Sequence, residues 1–273
     1  ARNVSCRVIE VDQVDDSAVV CAVGTMGAPT VGVEKIPRGD ELEKTVRVLE
    51  SHIGSSFEAI IIGEIGGANA LKPLICALQM DLPVVDGDGM GRAFPELQMD
   101  SFAIGGLDLS PLALGDCHGN QVVLHSVSGP VQAERYARNL TIEMGGSTAL
   151  AMPMMTGHEL KRTLIRKTLS LAKALGEIVL AARRIGKDPV DGIIELTQGQ
   201  VLFRGKIIDV ERRITRGFSR GTMKLTAFGS QEDQLEIHFQ NENLIAYRNG
   251  RVVCTVPDLI TLVEVENGEP IGT

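Results

Sequence analysis

The sequence contains no tryptophan, and aromatic residues make up only 3% of its 273 residues. Its core must therefore be aliphatic, drawn from the 44% of residues that are hydrophobic. No hydrophobic run approaches the roughly 18–20 residues that a membrane-spanning helix needs. The first residues also lack the basic and then hydrophobic pattern of a signal peptide. These absences predict a soluble, cytoplasmic protein with no membrane partner.

Cysteine and positive charge are both scarce. The five cysteines are scattered and include no C-x-x-C pair, which argues against a disulfide framework and against a structural zinc knuckle. The formal net charge of −8 opposes nucleic acid as a general partner. One basic cluster exists, and we interpret it as the solvated face of a hairpin, with a local anion or subunit contact as the alternative. It consists of Arg212, Arg213, Arg216 and Arg220.

Strand and helix signals alternate over the first 185 or so residues. The β-branched runs at 17–23, 58–65 and 82–86 predict buried strands, and the segments at 40–54 and 68–80 predict helices. Asp40 is the expected N-cap of the first helix, and Pro73 moves the expected start of the second toward residue 72. This β-α-β-α-β order predicts an α/β fold with a parallel sheet flanked by helices.

The pattern changes near residue 190. Before it, short strand signals such as "SFAIGGL" (101–107) precede predicted helices at 130–146 and 156–186. After it, strand and turn signals dominate, and "RNG" at 248–250 predicts a hairpin. The sequence therefore predicts an α/β domain over 1–190 and a smaller, mainly-β domain over 191–273. The aliphatic alternation in the last 70 residues also favours a homo-oligomer.

Three glycine-rich loops follow the three predicted parallel strands, at 24–30, 63–69 and 84–99. Ligands of open α/β sheets bind beyond the carboxyl ends of the strands. We therefore expect the three loops to converge on one crevice, which brings Glu64 to the same edge as the charged 84–99 loop.

The loop "VVDGDGMGRAFPELQM" (84–99) fits neither a calcium site nor a phosphate cradle. An EF-hand that begins at Asp86 needs glutamate at its twelfth position, which is Leu97. The glycines match no phosphate-binding motif, and Asp86 and Asp88 repel a phosphate. Two alternatives remain, a carboxylate site or a simple turn with surface charges. In a carboxylate site we expect only one of the two aspartates to face the pocket, with Arg92 orienting it or binding substrate and Glu96 nearby.

A second candidate is "GDCHGN" (115–120), in which Asp116 and His118 have ligand types that suit zinc or another transition metal. A β-turn between two strands explains the same residues. His125 within a strand is interpreted as structural. No H-E-x-x-H or H-x-H pair occurs, so a zinc-protease site has no support.

Six segments, in order along nearly the whole chain, resemble the S-methyl thiohydantoin desulfurase family. They are "GTMGAPTVGVEKIPRGDE", "IGEIGGANALKPL", "LPVVDGDGMGRAFPELQM", "MPMMTGHELKR", "LFRGKIIDVERR" and "FQNENLIAYRNGRVVCTVPDLI". The sequence lacks the glycine-rich "TGGGG"-like segment with which members usually begin. The resemblance implies an α/β domain followed by a β-rich domain, and a hydrolase that releases methanethiol from an S-methylated thiohydantoin in a zinc-containing site.

The resemblance supplies the reaction, and the candidate residues fit roles in it. Asp88 or Glu96 is the expected catalytic carboxylate, and the expected substrate-binding residues are Glu64, Asn69 and Arg92. The expected metal ligands are Asp86, Asp116 and His118, and the expected metal is zinc, which lowers the pKa of a bound water to about 7. The expected substrate is a small cyclic amide-like molecule.

Two other functions remain open. The first is a non-catalytic accessory subunit of a hydantoinase or oxoprolinase-type enzyme. Co-elution with such an enzyme, with no bound metal and no activity alone, would favour it. The second is a simple binding protein, which a cyclic amide would stabilise without being converted.

Overall fold

The computed structural model of the protein describes residues 5–272, and the chain divides into two compact units. The first unit ends at Ser170 and the second begins at Leu171. The boundary predicted near residue 190 from the change of pattern stays a prediction.

The first unit is built on one mixed sheet. Its strands are β1 (Val8–Ile9), β2 (Val19–Gly27), β3 (Ala59–Ile62), β4 (Val84–Asp88), β5 (Leu112–Gly115), β6 (Gln121–Leu124), β7 (Ser147–Thr156) and β8 (Ile165–Arg166). They lie in the order β1-β4-β3-β2-β7-β5-β6, and β8 pairs with β4. The pairs β1–β4, β4–β3 and β3–β2 are parallel, as predicted, and the remaining pairs are antiparallel.

Helices α2 and α3 bury hydrophobic residues that repeat at helical spacing. The helices of the first unit are α1 (Pro29–Glu34), α2 (Glu41–Ile53), α3 (Gly67–Met80), α4 (Ser101–Ile104), α5 (Pro130–Glu143) and α6 (Gly157–Thr163). Helix α7 (Thr168–Arg184) crosses the boundary between the units, and α8 (Pro189–Thr197) belongs to the second unit. One hydrophobic cluster packs α2 and α3 against one face, where Leu49 and Cys76 are buried. A second cluster, around Phe102 and Leu160, covers the other face.

Three details of these helices differ from the prediction. Asp40 precedes α2 but makes no side-chain cap, because its carboxylate pairs with Lys44 at 2.6 Å. Helix α3 begins at Gly67 and contains Pro73 in its interior. The expected strand at 101–107 is wrong: α4 forms there because the Asp100 carboxylate accepts the Ala103 N–H at 2.6 Å and caps the helix.

The second unit is a mainly antiparallel β structure. Its strands are β9 (Gly205–Thr215), β10 (Phe218–Ala227), β11 (Ser230–Gln240), β12 (Glu242–Arg248), β13 (Arg251–Thr255), β14 (Leu262–Val263) and β15 (Pro270–Ile271). The first five form a meander with the order β13-β12-β11-β10-β9. Its core includes Met223, Ile237 and Ile260. Asn249 and Gly250 join β12 to β13 with positive φ angles of 50° and 76°, which confirms the predicted hairpin.

The predicted fold class, an α/β unit with a parallel-containing sheet followed by a smaller mainly-β unit, is confirmed. Within the described part of the chain, none of the helices combines the length and the apolar character that spanning a membrane requires.

Candidate functional site

At the carboxyl ends of β2, β3 and β4, where a crevice is predicted from the three loops, the side chain of Asn69 links two of these loops. Its amide nitrogen donates to the Glu64 carboxylate at 2.6 Å and to the Thr25 carbonyl at 3.2 Å. Its amide oxygen accepts the Thr25 N–H at 3.0 Å and also the Thr25 hydroxyl. These contacts fix the orientation of the amide, so the Glu64 carboxylate always faces an N–H donor. Asn69 can occupy this place because it lies in the first turn of α3, which begins at Gly67.

Glu64 is the ionisable group of this crevice whose protonation changes near neutral pH. It is partly exposed at the residue level. Burial of its carboxylate raises its pKa to about 7, and the charge of Asp88 acts in the same direction. Hydrogen bonds from Asn69 and from the Phe94 backbone, together with the charge of Arg138, oppose this rise. A carboxyl group with this pKa can both accept and return a proton at physiological pH.

Asp88 ties the 63–69 loop to the 84–99 loop. The side chain is 0% exposed, and its carboxylate accepts backbone N–H groups of Ile65 at 2.8 Å, Met90 at 3.0 Å and Gly91 at 2.9 Å. Burial raises the pKa of Asp88, and these backbone donors oppose the rise. Asp88 therefore anchors both loops.

The two loops also touch directly, backbone to backbone. The Gly89 N–H donates to the Gly63 carbonyl at 3.1 Å. A Cβ atom at Gly89 would lie 2.8 Å from that carbonyl oxygen and 2.5 Å from the Phe102 ring. Only glycine permits this approach, which explains the glycine between Asp88 and Met90.

Asp86 and Asp88 both lie in β4, whose pairing with β3 shifts register between Val84 and Asp88. The expectation that only one of the two aspartates faces the pocket stays a prediction. Asp86 is 4% exposed and accepts the Ser170 N–H at 3.0 Å and the Ser170 hydroxyl. Each aspartate therefore has its own set of donors.

Arg92 and Glu96 occupy the second half of the 84–99 loop. Arg92 is 7% exposed, donates to the Ala93 carbonyl at 3.1 Å, and holds its guanidinium 4.8 Å from the centre of the Phe94 ring. The half-buried Glu96 precedes the short 3-10 turn Leu97–Met99 and accepts the Gln98 side-chain amide. Arg92 therefore supports the loop segment whose Phe94 N–H reaches Glu64.

A buried ion pair on α5, which the sequence analysis did not identify, holds this half of the loop. Arg138 and Glu134 pair at 2.7 Å, one helical turn apart. Arg138 also donates to the Pro95 carbonyl at 3.0 Å, and Glu134 accepts the Leu97 N–H at 3.0 Å. The Glu-x-x-x-Arg spacing within a predicted helix was the available signal, but only the tertiary structure shows that the pair is buried.

Asp116 and His118 form a turn distant from Asp86. The Asp116 carboxylate accepts the His118 N–H at 2.9 Å and the Asn120 N–H at 2.8 Å. Burial raises the pKa of Asp116, but the hydrogen bonds outweigh it and lower the pKa overall. The strand before this turn, β5, is four positions from β4 in the sheet, about 19 Å at ~4.8 Å per strand.

The expected ligands Asp86, Asp116 and His118 therefore do not come together. His118 is exposed, and both aspartates already accept hydrogen bonds from the surrounding turn or helix. Across residues 5–272, no group of three or more His, Cys, Asp or Glu lies close enough together to hold a metal ion. The residues expected to hold zinc do not fit it.

A G-x-S-x-G pattern occurs at 217–221, so the expectation that the sequence contains none is wrong. In hydrolases this motif exposes its serine on a strand-to-helix turn. Here Ser219 is fully buried within β10, in an antiparallel hairpin. The pattern therefore carries no nucleophile.

Family models and a solved structure match the chain. The S-Me-THD-like N-terminal domain matches residues 1–126, and the S-Me-THD-like C-terminal domain matches residues 128–273. The X-ray crystal structure of a protein from Chromobacterium violaceum is 23% identical, with a TM-score of 0.74, and the match covers 96% of this chain and 72% of that one. This likeness supports the fold. No curated protein matches the chain. Because the two family models together span nearly every residue, the chain belongs to the S-Me-THD-like family, to which S-methyl thiohydantoin desulfurase gives its name.

Proposed function

We propose that this protein is a hydrolase of cyclic amide-like small molecules of the S-methyl thiohydantoin type, with Glu64 as its acid–base group. The observation that carries the proposal is the Glu64 carboxyl group, with its pKa of about 7, held by Asn69 at the carboxyl edge of the sheet. Family membership supports a thiohydantoin-related substrate.

The reaction needs one group that first accepts and then returns a proton. Ionised Glu64 accepts a proton from a water molecule while the water oxygen bonds to the ring carbon that bears the S-methyl group, and the π electrons of the C=N bond move to the ring nitrogen. That electron pair then re-forms the C=N bond as the carbon–sulfur bond breaks, and the methanethiolate leaving group takes the proton back from Glu64. The proton of the new hydroxyl group moves to the ring nitrogen, which gives the hydantoin. One water is consumed, and the products are the hydantoin and methanethiol. Glu64 ends in its starting state.

Asn69 and Asp88 act on this chemistry through Glu64. Asn69 and the Phe94 backbone donate to the Glu64 carboxylate and so fix its orientation. Asp88 holds the loop that carries Glu64 against the loop that carries Phe94. We therefore assign Asp88 a positioning role, whereas the sequence analysis assigned it the proton transfer.

Zinc has no place in this proposal. The expected ligand set does not come together, as the hydrogen bonds of Asp86 and Asp116 show. The proton steps above are written for the residues that line the crevice. Arg92 supports the loop segment that carries Phe94, so in this proposal it acts as a positioning residue.

The substitution Glu64→Gln tests the assignment because it keeps the shape and the hydrogen bond of the side chain while it removes the proton-accepting charge. We expect release of methanethiol from an S-methyl thiohydantoin, followed with a thiol reagent, to fall at least ~100-fold in kcat. The matched control is Glu96→Gln, in the same loop region. We expect its kcat to stay within about threefold of the wild type, because in this proposal Glu64 and not Glu96 transfers the proton.

Two results would contradict the proposal. A Glu64→Gln protein with wild-type turnover removes Glu64 from the chemistry. A wild-type protein that releases no methanethiol alone, but does so after a hydantoinase or oxoprolinase-type protein is added, favours the accessory-subunit function.

A further inference from the structure

Two histidines from distant parts of the sequence meet on the surface of the first unit. His52 lies in the last turn of α2, and His125 directly follows β6. The Nε2 atom of His52 is 2.9 Å from the Nδ1 atom of His125. The ring centres are 5.0 Å apart, with 70° between the ring planes, and both residues are exposed.

This pair lies away from the crevice. Leu124, which directly precedes His125, pairs with Leu112, the first residue of β5. His125 therefore lies near the amino end of β5, whereas Asp116 follows its carboxyl end. Strand β5 runs in the same direction as β2, because both are antiparallel to β7. The pair is therefore near the edge of the sheet opposite to Glu64, and the proposed hydrolysis makes no use of it.

The contact has a simple chemical meaning. Two ring nitrogens at hydrogen-bond distance share one proton, so one of them presents a lone pair to the other. Neutral imidazole nitrogens are preferred ligands of Zn²⁺, Ni²⁺ and Cu²⁺. Two nitrogens bound at right angles to one ion, each at roughly 2.0–2.1 Å, lie about 3 Å apart. The observed 2.9 Å spacing matches this value, so a small rotation of each exposed ring is sufficient.

The position of His52 also favours a cation. The carbonyl groups at the carboxyl end of a helix carry partial negative charge, which attracts positive charge in the last turn. His52 is the basic residue in the last turn of α2. An ion bound there is attracted by the helix, in addition to being held by the two nitrogens.

We propose that His52 and His125 form a two-histidine site for a divalent transition-metal ion, in which the ion replaces the shared proton and water completes its coordination. The bound ion links the end of α2 to the end of β6. It therefore stabilises the first unit, since a ligand that binds only the folded state raises its unfolding temperature.

The test is a Ni²⁺ titration of the tag-free protein by calorimetry and by thermal unfolding. We expect one saturable Ni²⁺ site and a higher unfolding temperature at saturation. His52→Ala and His125→Ala should each weaken binding at least tenfold, because each removes one arm of a chelate. Both side chains are exposed, so these variants should fold and retain wild-type release of methanethiol.

His118→Ala is the matched control, since His118 is also exposed and lies beside Cys117 and Asp116. It should leave Ni²⁺ binding unchanged. In proton NMR spectra, substoichiometric Ni²⁺ should broaden the ε1 signals of two of the five histidines. The spectra of His52→Ala and His125→Ala, in each of which one histidine signal is missing, should assign these two signals to His52 and His125. The proposal is overturned if binding is not saturable below millimolar Ni²⁺, if both single variants bind as the wild type does, or if His118→Ala abolishes binding. None of these outcomes bears on the role of Glu64.

Discussion

Three carboxyl groups, those of Glu64, Asp88 and Asp100, have raised pKa values, and their donors distinguish their roles. Asp88 accepts three backbone N–H groups, and Asp100 caps α4. Glu64 accepts the Asn69 amide and keeps some exposure. The sequence analysis correctly predicted carboxylates at the ends of β3 and β4, where Glu64 and Asp88 lie. It could not show which one has a pKa near 7, because the donor Phe94 comes from another loop and the distances of both donors, Asn69 and Phe94, depend on the folded chain.

Asp100 yields a prediction about stability and pH. Burial raises its pKa from 3.8 to about 7, against hydrogen bonds from Ala103 and Phe102. Between pH 3.8 and about 7, the folded protein keeps this proton while the unfolded chain loses it. The stability that Asp100 contributes at low pH is therefore lost as pH rises through this window.

Asp100→Asn cannot ionise, but its side-chain oxygen can still accept the Ala103 N–H. We expect the free energy of unfolding of Asp100→Asn, relative to the wild type, to increase by about 1–3 kcal/mol between pH 5 and pH 8. Urea unfolding at both pH values measures this difference. A constant difference between the two proteins would show that Asp100 has an ordinary pKa in the folded state.

At the scale of elements, the strands with β-branched runs were predictable and the short capped segments were not. The runs in β2, β3 and β4 are buried on both faces, so their composition alone indicates a strand. The segment at 101–107 has similar apolar residues, but the cap at Asp100 and the glycines at 105 and 106 limit it to one short helix. The 84–99 loop is supported by α5, whose contacting residues lie about 40 positions further along the chain. A contact between such distant segments could not be predicted from the local sequence pattern.

The ion pair on α5 gives a prediction at this scale. Arg138→Met leaves the Glu134 carboxylate buried without its counter-ion and removes the donor to the Pro95 carbonyl. We expect the free energy of unfolding to fall by about 3–5 kcal/mol. We also expect slower release of methanethiol, because the loop that supplies the Phe94 N–H moves.

The control is Arg135→Met, on the exposed side of the same helix. Surface substitutions of this kind change the free energy of unfolding by less than about 0.5 kcal/mol. If Arg138→Met and Arg135→Met are equally stable and equally active, the ion pair does not support the loop.

At the scale of the whole molecule, the proposed site uses residues of the first unit alone. Glu64, Asn69, Asp88 and Arg92 all precede Ser170, and the second unit has its own buried core. The change of pattern near residue 190 predicted two regions of different character. It could not fix the boundary, because α7 belongs to both units and its sequence is helical throughout.

The two tyrosines allow the units to be followed separately, since Tyr136 lies in α5 and Tyr247 in β12. Ile237→Ala, at a side chain that is 2% exposed in the second unit, should lower the free energy of unfolding of that unit by about 2–5 kcal/mol. In a Tyr136→Phe background, the fluorescence of Tyr247 reports this loss. We expect release of methanethiol at 25 °C to stay at the level of Tyr136→Phe alone. Loss of activity while the Tyr247 signal is still that of the folded protein would place part of the site outside the first unit.

The pH dependence of kcat/KM for release of methanethiol tests the role of Glu64 most directly. Glu64 must be ionised to accept a proton from water, so kcat/KM should fall below pH 7, tenfold per pH unit, and level off above it. In Glu64→Gln this inflection should disappear, together with most of the activity. A wild-type profile that is flat between pH 5 and pH 8, or an inflection that persists in Glu64→Gln, would contradict the account.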